Sequence, residues 1–240
     1  MTLEEFSNEF DTLVSSYQRF KDFDDKENLD SIEFDEYEKS VFLTKAQELT
    51  IVNLYNGKNV YGDSFESTEE IRRYLDSLVK TKVYEASDAI EGTPLTDTSK
   101  FFVLPNDIGF ITLEQISYSD ESLGCANNSR ADIYPVTHDQ FSRVRNNPFR
   151  GPTKYKALRV DYGDNVVEII PKYTLGTYLI KYVSKPSPII LENLPNGLSI
   201  EGVSTATECT LNPLLHRTIL ERAVTLALST KRAASSKEDK

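Results

Sequence analysis

The chain has 240 residues, of which 39% are hydrophobic and 27% are charged, a composition typical of a folded globular protein and not of a disordered one. It carries 38 acidic and 27 basic residues, a formal net charge of −11, which argues against a protein that wraps DNA by neutralising its phosphates. No apolar run approaches the roughly 20 residues that cross a bilayer, and two cysteines are too few for a framework of disulfides.

The charge is unevenly distributed along the chain. Residues 1–80 contain 19 acidic and 9 basic residues, whereas the other 160 residues contain 19 acidic and 18 basic ones. Such asymmetry indicates either that two surfaces face different surroundings or that solvated helix faces in the first segment favour acidic residues. The sequence leaves both explanations open.

Three amphipathic helices are predicted in residues 1–82. Each begins at a capping-box pair, in which two side chains three positions apart satisfy each other's backbone amides. Apolar residues then recur every three or four positions, so they share one helix face. The pairs are Thr2 with Glu5, Asp30 with Glu33 and Ser67 with Glu70, the apolar faces run over 3–17, 34–52 and 71–79, and Asn56-Gly57 ends the second helix.

A β-rich part is predicted over 83–211, because short β-prone runs there are separated by turn residues. Runs this short favour antiparallel pairing. One helix is inserted near 137–146, beginning at a capping box of Thr137 with Gln140 and ending at Asn147-Pro148. The predicted strands are 101–104, 109–112, 115–118, 157–161, 166–170, 178–183 and 189–191.

A long helix is predicted over 212–230, with Asn212 as its N-cap and Pro213 in its first turn. We expect residues 231–240 to form a flexible tail. The predicted fold class is therefore α+β, with an N-terminal helical bundle, an antiparallel β-rich middle and a long C-terminal helix.

One acidic loop resembles a calcium-binding EF-hand loop. Asp22, Asp24, Asp30 and Glu33 stand at loop positions one, three, nine and twelve. However, position five is a lysine and position six is a glutamate where the loop requires glycine. An acidic connection between two helices explains the segment better, and no metal is expected.

The cysteines and histidines do not indicate a catalytic or metal site. Cys125, His138, Cys209 and His216 are spaced unlike the paired ligands of zinc sites. A Cys–His pair joined by folding stays open, but Cys209 is more typical of a buried structural thiol. Without a phosphate-binding loop or a nucleophile elbow, we expect neither an enzyme nor a cofactor.

Basic residues cluster around one loop of the β-rich part. They are Arg143, Arg145, Arg150, Lys154, Lys156 and Arg159. In so acidic a protein we expect the cluster, and Arg143, Arg145, Arg150 and Lys154 in particular, to bind an acidic protein surface such as a neighbouring copy. On the last helix, Leu215, Ile219, Ala223 and Leu226 share one face.

Several segments resemble a ring-forming protein of the head-to-tail connector of crAss-like short-tailed bacteriophages. Together they extend in order over most of the chain. They are 8–11 (NEFD), 38–47 (EKSVFLTKAQ), 134–137 (YPVT), 146–152 (NNPFRGP), 182–191 (YVSKPSPIIL) and 209–216 (CTLNPLLH).

This resemblance implies a structural virion protein at the head–tail interface, made in the host cytoplasm. It implies a ring, expected to be a dodecamer, that binds the portal protein and other connector or tail rings. On this resemblance, Leu215, Ile219, Ala223 and Leu226 of the last helix are candidates for docking to the portal or the next ring. DNA would pass through its channel without sequence-specific binding, and no membrane would be involved. The competing function is that of an acidic regulatory protein that imitates DNA and binds a host nucleic-acid enzyme.

Overall fold

The structure is a computed structural model that describes residues 1–21, 33–58, 64–65, 68–195 and 197–238. Packing divides the chain into two units. Unit 1 joins Met1–Leu78 to Pro186–Lys240, and unit 2 is Val79–Lys185. The sequence predicts segment boundaries at 82 and 211. In the structure, the N-terminal helices and the C-terminal helix belong to one unit.

The described residues of unit 1 include four α-helices and, within 186–212, a segment without helix. Its helices are α1 (Leu3–Lys21), α2 (Glu36–Tyr55), the short α3 (Glu69–Tyr74) and α5 (Pro213–Glu238). The helices α1 and α2 both pack on α5. The predicted apolar residues of α1 and α5 are mostly buried, including Phe6, Phe10, Ile219 and Ala223. In α2 the predicted face is largely wrong, because Leu49 and Val52 are exposed whereas Leu43, Ile51 and Leu54 are buried.

The helix ends show where local sequence patterns decide the structure. Thr2 and Glu5 form the predicted capping box, with each backbone amide bonded to the other side chain. Asn212 caps α5 as predicted, since its side-chain oxygen accepts from the Leu214 amide at 3.0 Å. Asn56 caps α2, and Gly57 follows with φ +73°.

Other boundaries differ from the prediction. Asp35 rather than Asp30 caps α2 and accepts from the Glu38 amide at 2.6 Å, because the described residues before Glu36 are not helical. Ser67 lies outside the described residues. The third helix ends at Tyr74 instead of continuing to Val79. The helix α5 extends to Glu238, beyond the predicted boundary at 230.

Lys39 joins α1 to α2 inside unit 1. It is only 3% exposed, and its ammonium contacts Asp11 at 2.7 Å, Glu36 at 2.9 Å and Ser7 at 3.1 Å. Burial alone would lower the pKa of Lys39, but the hydrogen bonds and charges of Asp11 and Glu36 outweigh it and raise the pKa. The buried cation is therefore satisfied by three oxygens.

The segment after residue 186 lies along α2 and is not a strand of the sheet. The Thr44 hydroxyl accepts from the Ile189 amide at 3.1 Å, and the Ser40 hydroxyl accepts from the Leu191 amide at 3.0 Å. The Gln47 side chain donates to the Ser187 carbonyl at 2.8 Å. The predicted strand 189–191 is therefore wrong: Ile190 pairs with Thr207 in one isolated antiparallel bridge, and the amides on either side of it bond side chains of α2 instead of a neighbouring strand.

Unit 2, all of whose residues are described, contains one seven-stranded sheet. The strands are β1 (Val79–Glu85), β2 (Lys100–Val103), β3 (Ile108–Tyr118), β4 (Arg130–Pro135), β5 (Lys156–Asp161), β6 (Val166–Ile170) and β7 (Leu175–Ser184). Their order is β1-β7-β3-β4-β5-β6-β2. The α+β class is confirmed, with a mixed sheet in the middle of the chain.

Neighbouring strands are antiparallel, as predicted, except at one position in the sheet. There β4 and β5 are parallel, with Asp132 opposite Lys156 and Pro135 opposite Arg159. Parallel neighbours require a crossover connection, and α4 (His138–Arg145) lies in it. The predicted helix is thus present, but the Thr137 side chain makes no capping bond to the backbone, so the predicted capping box does not form.

Two apolar clusters cover the sheet of unit 2. The larger one contains Tyr84, Phe102, Ile116, Tyr118 and Tyr178, all of them buried. The smaller one places Phe141 of α4 against Leu158, Val160 and Ile170 of β5 and β6. Because Phe141 is anchored in this way, α4 is held on the sheet and the loop that follows it begins at a fixed place.

Candidate assembly surface

The four basic residues predicted to form an interface lie in the connection between β4 and β5. Arg143 and Arg145 are in the last turn of α4, and Arg150 and Lys154 are in the loop that follows, here called the crossover loop (146–155). All four side chains are exposed. The structure therefore places the predicted basic residues on one exposed connection of unit 2.

The shape of the crossover loop is fixed by Asn147. Its side-chain oxygen accepts from the Phe149 amide at 2.9 Å and from the Arg150 amide at 3.2 Å. Its carbonyl accepts from the Gly151 amide at 2.7 Å. Gly151 is buried, and a Cβ added there would lie 2.7 Å from the Arg145 carbonyl oxygen. Glycine at 151 is thus required by the close approach of backbone.

This loop presents aromatic side chains together with the basic ones. Phe149 is 90% exposed and Tyr155 is 64% exposed. The Lys154 ammonium lies 4.6 Å from the centre of the Tyr155 ring, and its hydrogen bond to the Tyr155 hydroxyl raises the pKa of Lys154. We call these six residues (Arg143, Arg145, Phe149, Arg150, Lys154 and Tyr155) the basic-aromatic surface.

Arg159 does not belong to this surface, although its sequence position suggests it. Its guanidinium hydrogen-bonds the buried Glu114 carboxylate and also donates to Asp161 at 3.3 Å. The other Glu114 oxygen accepts from the Tyr178 hydroxyl at 2.6 Å. Burial alone would lower the pKa of Arg159, but the hydrogen bond to Glu114 and the negative charge of Glu114 outweigh burial and raise the pKa. Arg159 is therefore a structural cation.

The four candidate docking residues of α5 lie mainly inside unit 1. Leu215, Ile219 and Ala223 are buried, and Leu226 is half-buried. This face therefore packs the helix into its own unit, and of its four members the half-buried Leu226 keeps the most surface for a partner. Leu214, outside this face, is 72% exposed. Docking of α5 to another protein stays a prediction.

Sequence reasoning missed a groove in unit 1. It has a volume of about 850 Å³ and is lined from α1, α2, α3 and α5 by Tyr17, Leu54, Tyr74, Leu214, Arg222 and Leu226, among others. The Arg222 guanidinium donates to the Thr50 hydroxyl at 3.3 Å and, with the Asn53 amide turned to accept, to Asn53. These residues come from four helices, and no spacing along the sequence reveals their proximity.

The cysteines and histidines are placed as structural or surface residues. Cys125 is exposed, and the partly buried Cys209 donates to the Gln47 amide oxygen at 3.3 Å. Burial raises the pKa of the Cys209 thiol. His138 packs on the Tyr162 ring, with ring centres 4.7 Å apart, and His216 is buried and bonded to the Leu211 carbonyl at 3.1 Å.

In the loop that resembles an EF-hand, Asp22, Asp24 and Asp30 lie outside the described residues. Within the part of the chain that the structure describes, no three His, Cys, Asp or Glu side chains are grouped so as to hold a metal ion. In the same part, no helix has the length and apolar character to cross a membrane.

Comparisons with known proteins agree on one family. A family model described as "Phage tail ring protein 3/4" matches residues 1–239. Ring protein 3 of Bacteroides phage crAss001 is 48% identical over 233 residues, which is 96% of this chain and 96% of the relative. Ring protein 4/5 of the same phage is 30% identical over 236 residues, which is 95% of this chain and 92% of that relative.

Proposed function

The chain belongs to the phage tail ring protein 3/4 family of crAss-like phages, and from this premise we propose that it forms one ring of the head-to-tail connector. The ring joins the portal to the tail and leaves a central channel for the genome. Membership of this family makes the chain a structural, tail-related virion protein. The position in the connector and the channel are the proposal.

The distribution of charge between the units supports a contact between copies. Unit 1 has 25 acidic and 14 basic residues, a net charge of −11, and unit 2 has 13 of each. A closed ring requires a heterologous interface, in which one patch meets a different patch of the next copy. The basic-aromatic surface of unit 2 and the acidic unit 1 provide two such patches with opposite charge.

A DNA channel should not bind phosphates tightly. Exposed acidic residues of the described helices, such as Glu4, Glu9, Asp35 and Glu48, repel a duplex and allow it to slide if they face the lumen. In the proposal, part of this acidic surface lines the channel or covers the outside of the ring. DNA then passes without sequence-specific binding.

The chain acts by its shape and its contacts and catalyses no reaction. Its partners are further copies of itself, the portal protein and other connector or tail rings, with α5 as a docking element. Twelve copies form the ring, a number that comes from the resemblance to the connector proteins of short-tailed phages.

Electron microscopy of the purified chain, alone and mixed with the portal protein, tests this function. We expect rings with a central opening, and stacking of these rings on the portal. A chain that stays monomeric or dimeric in both samples and binds a nucleic-acid enzyme would instead support the DNA-imitating alternative. Rings that stack only on other tail rings would contradict the position next to the portal.

A further inference from the structure

Phe149 is the most exposed large apolar side chain among the described residues, at 90%. Burying an aromatic side chain of this kind removes about 150–250 Å² from water, so leaving it in solvent forgoes that stabilisation. The turn around Asn147 is bonded at three amides and holds Phe149 away from its own unit. The exposure of this ring is therefore built into the loop and is typical of a contact residue.

The groove of unit 1 has the complementary chemistry. Tyr17, Leu54, Leu214 and Leu226 provide apolar walls, and Tyr17 and Leu214 are 46% and 72% exposed. The Arg222 guanidinium, held by Thr50, lies in the lining. Guanidinium groups stack favourably on aromatic rings. A groove with apolar walls and a fixed guanidinium suits an aromatic side chain better than an aliphatic one.

The margin of the groove also offers one carboxylate to the basic loop, in a lining that includes Lys58 and Arg222. Arg150 follows Phe149 and is exposed. Glu221 lines the groove and is exposed, with Arg217 as its neighbour at 3.3 Å. An arginine that enters beside the aromatic ring therefore meets a carboxylate at the margin of the groove.

We propose that Phe149 of one copy inserts into the groove of unit 1 on the next copy, with Arg150 paired to Glu221. This proposal rests on the proposed ring function and identifies residues through which neighbouring subunits bind each other. It is heterologous, because the loop and the groove are different surfaces of the same chain, and repetition of it around an axis closes a ring.

Cross-linking between copies tests the contact directly. In a Cys125→Ser background, which removes the exposed thiol, single variants Phe149→Cys and Leu214→Cys are mixed and oxidised. We expect mixed dimers from this pair and a ladder of larger products from the double variant. Phe149→Cys mixed with Lys45→Cys, an exposed position on α2 outside the groove lining, is the matched control for random collision.

A second measurement separates assembly from folding. Because Phe149 is almost fully exposed, Phe149→Ala should leave the unfolding midpoint unchanged. We expect it to raise the concentration needed for half-assembly on the order of tenfold or more, and Phe149→Tyr should restore most of the assembly.

The outcomes distinguish this contact from the ring function itself. If wild-type rings form but the Phe149–Leu214 pair cross-links no better than the control, or Phe149→Ala assembles like the wild type, the contact is wrong and the ring function stands. If the wild-type chain forms no ring either alone or with the portal and other ring proteins, both proposals fail.

Discussion

The Gly151 amide donates to the Asn147 carbonyl at 2.7 Å and closes the turn that exposes Phe149. Gly151→Ala should open this turn, since the new methyl group would lie 2.7 Å from the Arg145 carbonyl oxygen and 2.9 Å from that of Asn147. We expect a loss of about 1–3 kcal/mol in unfolding free energy and impaired ring assembly. Gly163→Ala is the control, because nothing lies within 4 Å of a Cβ there. Equal stability of both variants would contradict this view of the loop.

Reversal of charge on the basic-aromatic surface tests the contact with acidic neighbours. The triple variant Arg143→Glu, Arg145→Glu and Arg150→Glu should abolish or strongly weaken ring formation, and added salt should weaken the wild-type contact. Sedimentation and imaging measure both effects.

The control for this reversal carries the same change in net charge at exposed lysines elsewhere. It combines Lys45→Glu, Lys82→Glu and Lys185→Glu. If both triple variants assemble equally well, the basic-aromatic surface is not an interface.

Arg159→Met should destabilise unit 2 strongly. The substitution leaves the buried Glu114 carboxylate with the Tyr178 hydroxyl as its remaining bonded partner in the described network. Breaking a buried ion pair in this way costs about 3 kcal/mol. Lys80→Met, which removes a half-exposed pair with Asp107, should cost at most about 1 kcal/mol. Urea titrations compare the two, and similar losses would refute a special role for Arg159.

Thr44→Val tests the attachment of residues 187–191 to α2. Valine keeps the shape but leaves the buried Ile189 amide without the hydroxyl that it bonds at 3.1 Å. We expect a loss of about 1–3 kcal/mol, measured by thermal or urea unfolding. The exposed Thr12, whose hydroxyl donates within its own helix, provides the control Thr12→Val, with an effect within about 0.5 kcal/mol. A neutral Thr44→Val would show that this bond does not hold the segment.

Unit 1 should become less stable as the pH falls below about 6.5, the ordinary value for histidine. Burial lowers the pKa of His216, so the unfolded chain takes up a proton there before the folded one does. Unfolding midpoints between pH 8 and 5 measure this loss, and His216→Gln should reduce its slope. His138→Gln is the control for removing a histidine. An unchanged slope in His216→Gln would assign the pH dependence to other groups.

The sequence predicted the elements whose patterns are local. The helices α1 and α5 follow from apolar periodicity and from the caps Thr2 and Asn212. The existence of α2 was predicted but its buried face was not, because that face includes the polar residues Lys39, Ser40 and Gln47. By contrast, β1 and β4 were missed, since only Tyr84 is buried in β1 and only Ala131 and Ile133 are buried in β4. Because β1 lies at the edge of the sheet and only alternate residues at the start of β4 are buried, neither strand has the continuous apolar run that predicts a strand.

The candidate site was predictable in the same uneven way. Charge is visible in a sequence, so Arg143, Arg145, Arg150 and Lys154 could be identified before the fold was known. Burial is not visible, and so Arg159 was grouped with the basic cluster although it pairs with the buried Glu114, and the burial of Leu215, Ile219 and Ala223 was not foreseen. The Phe149 exposure and the groove depend on Gly151 and on four separate helices, which only the folded chain brings together.

The parallel pairing of β4 with β5 has an evolutionary consequence. The connection that this pairing requires contains buried residues, such as Phe141 and Gly151, and exposed ones, such as Arg143 and Phe149, and only the exposed ones can change without loss of packing. Phage crAss001 encodes two distinct relatives of this chain, Ring protein 3 and Ring protein 4/5. Substitutions at such exposed positions would give related chains different binding surfaces on the same scaffold.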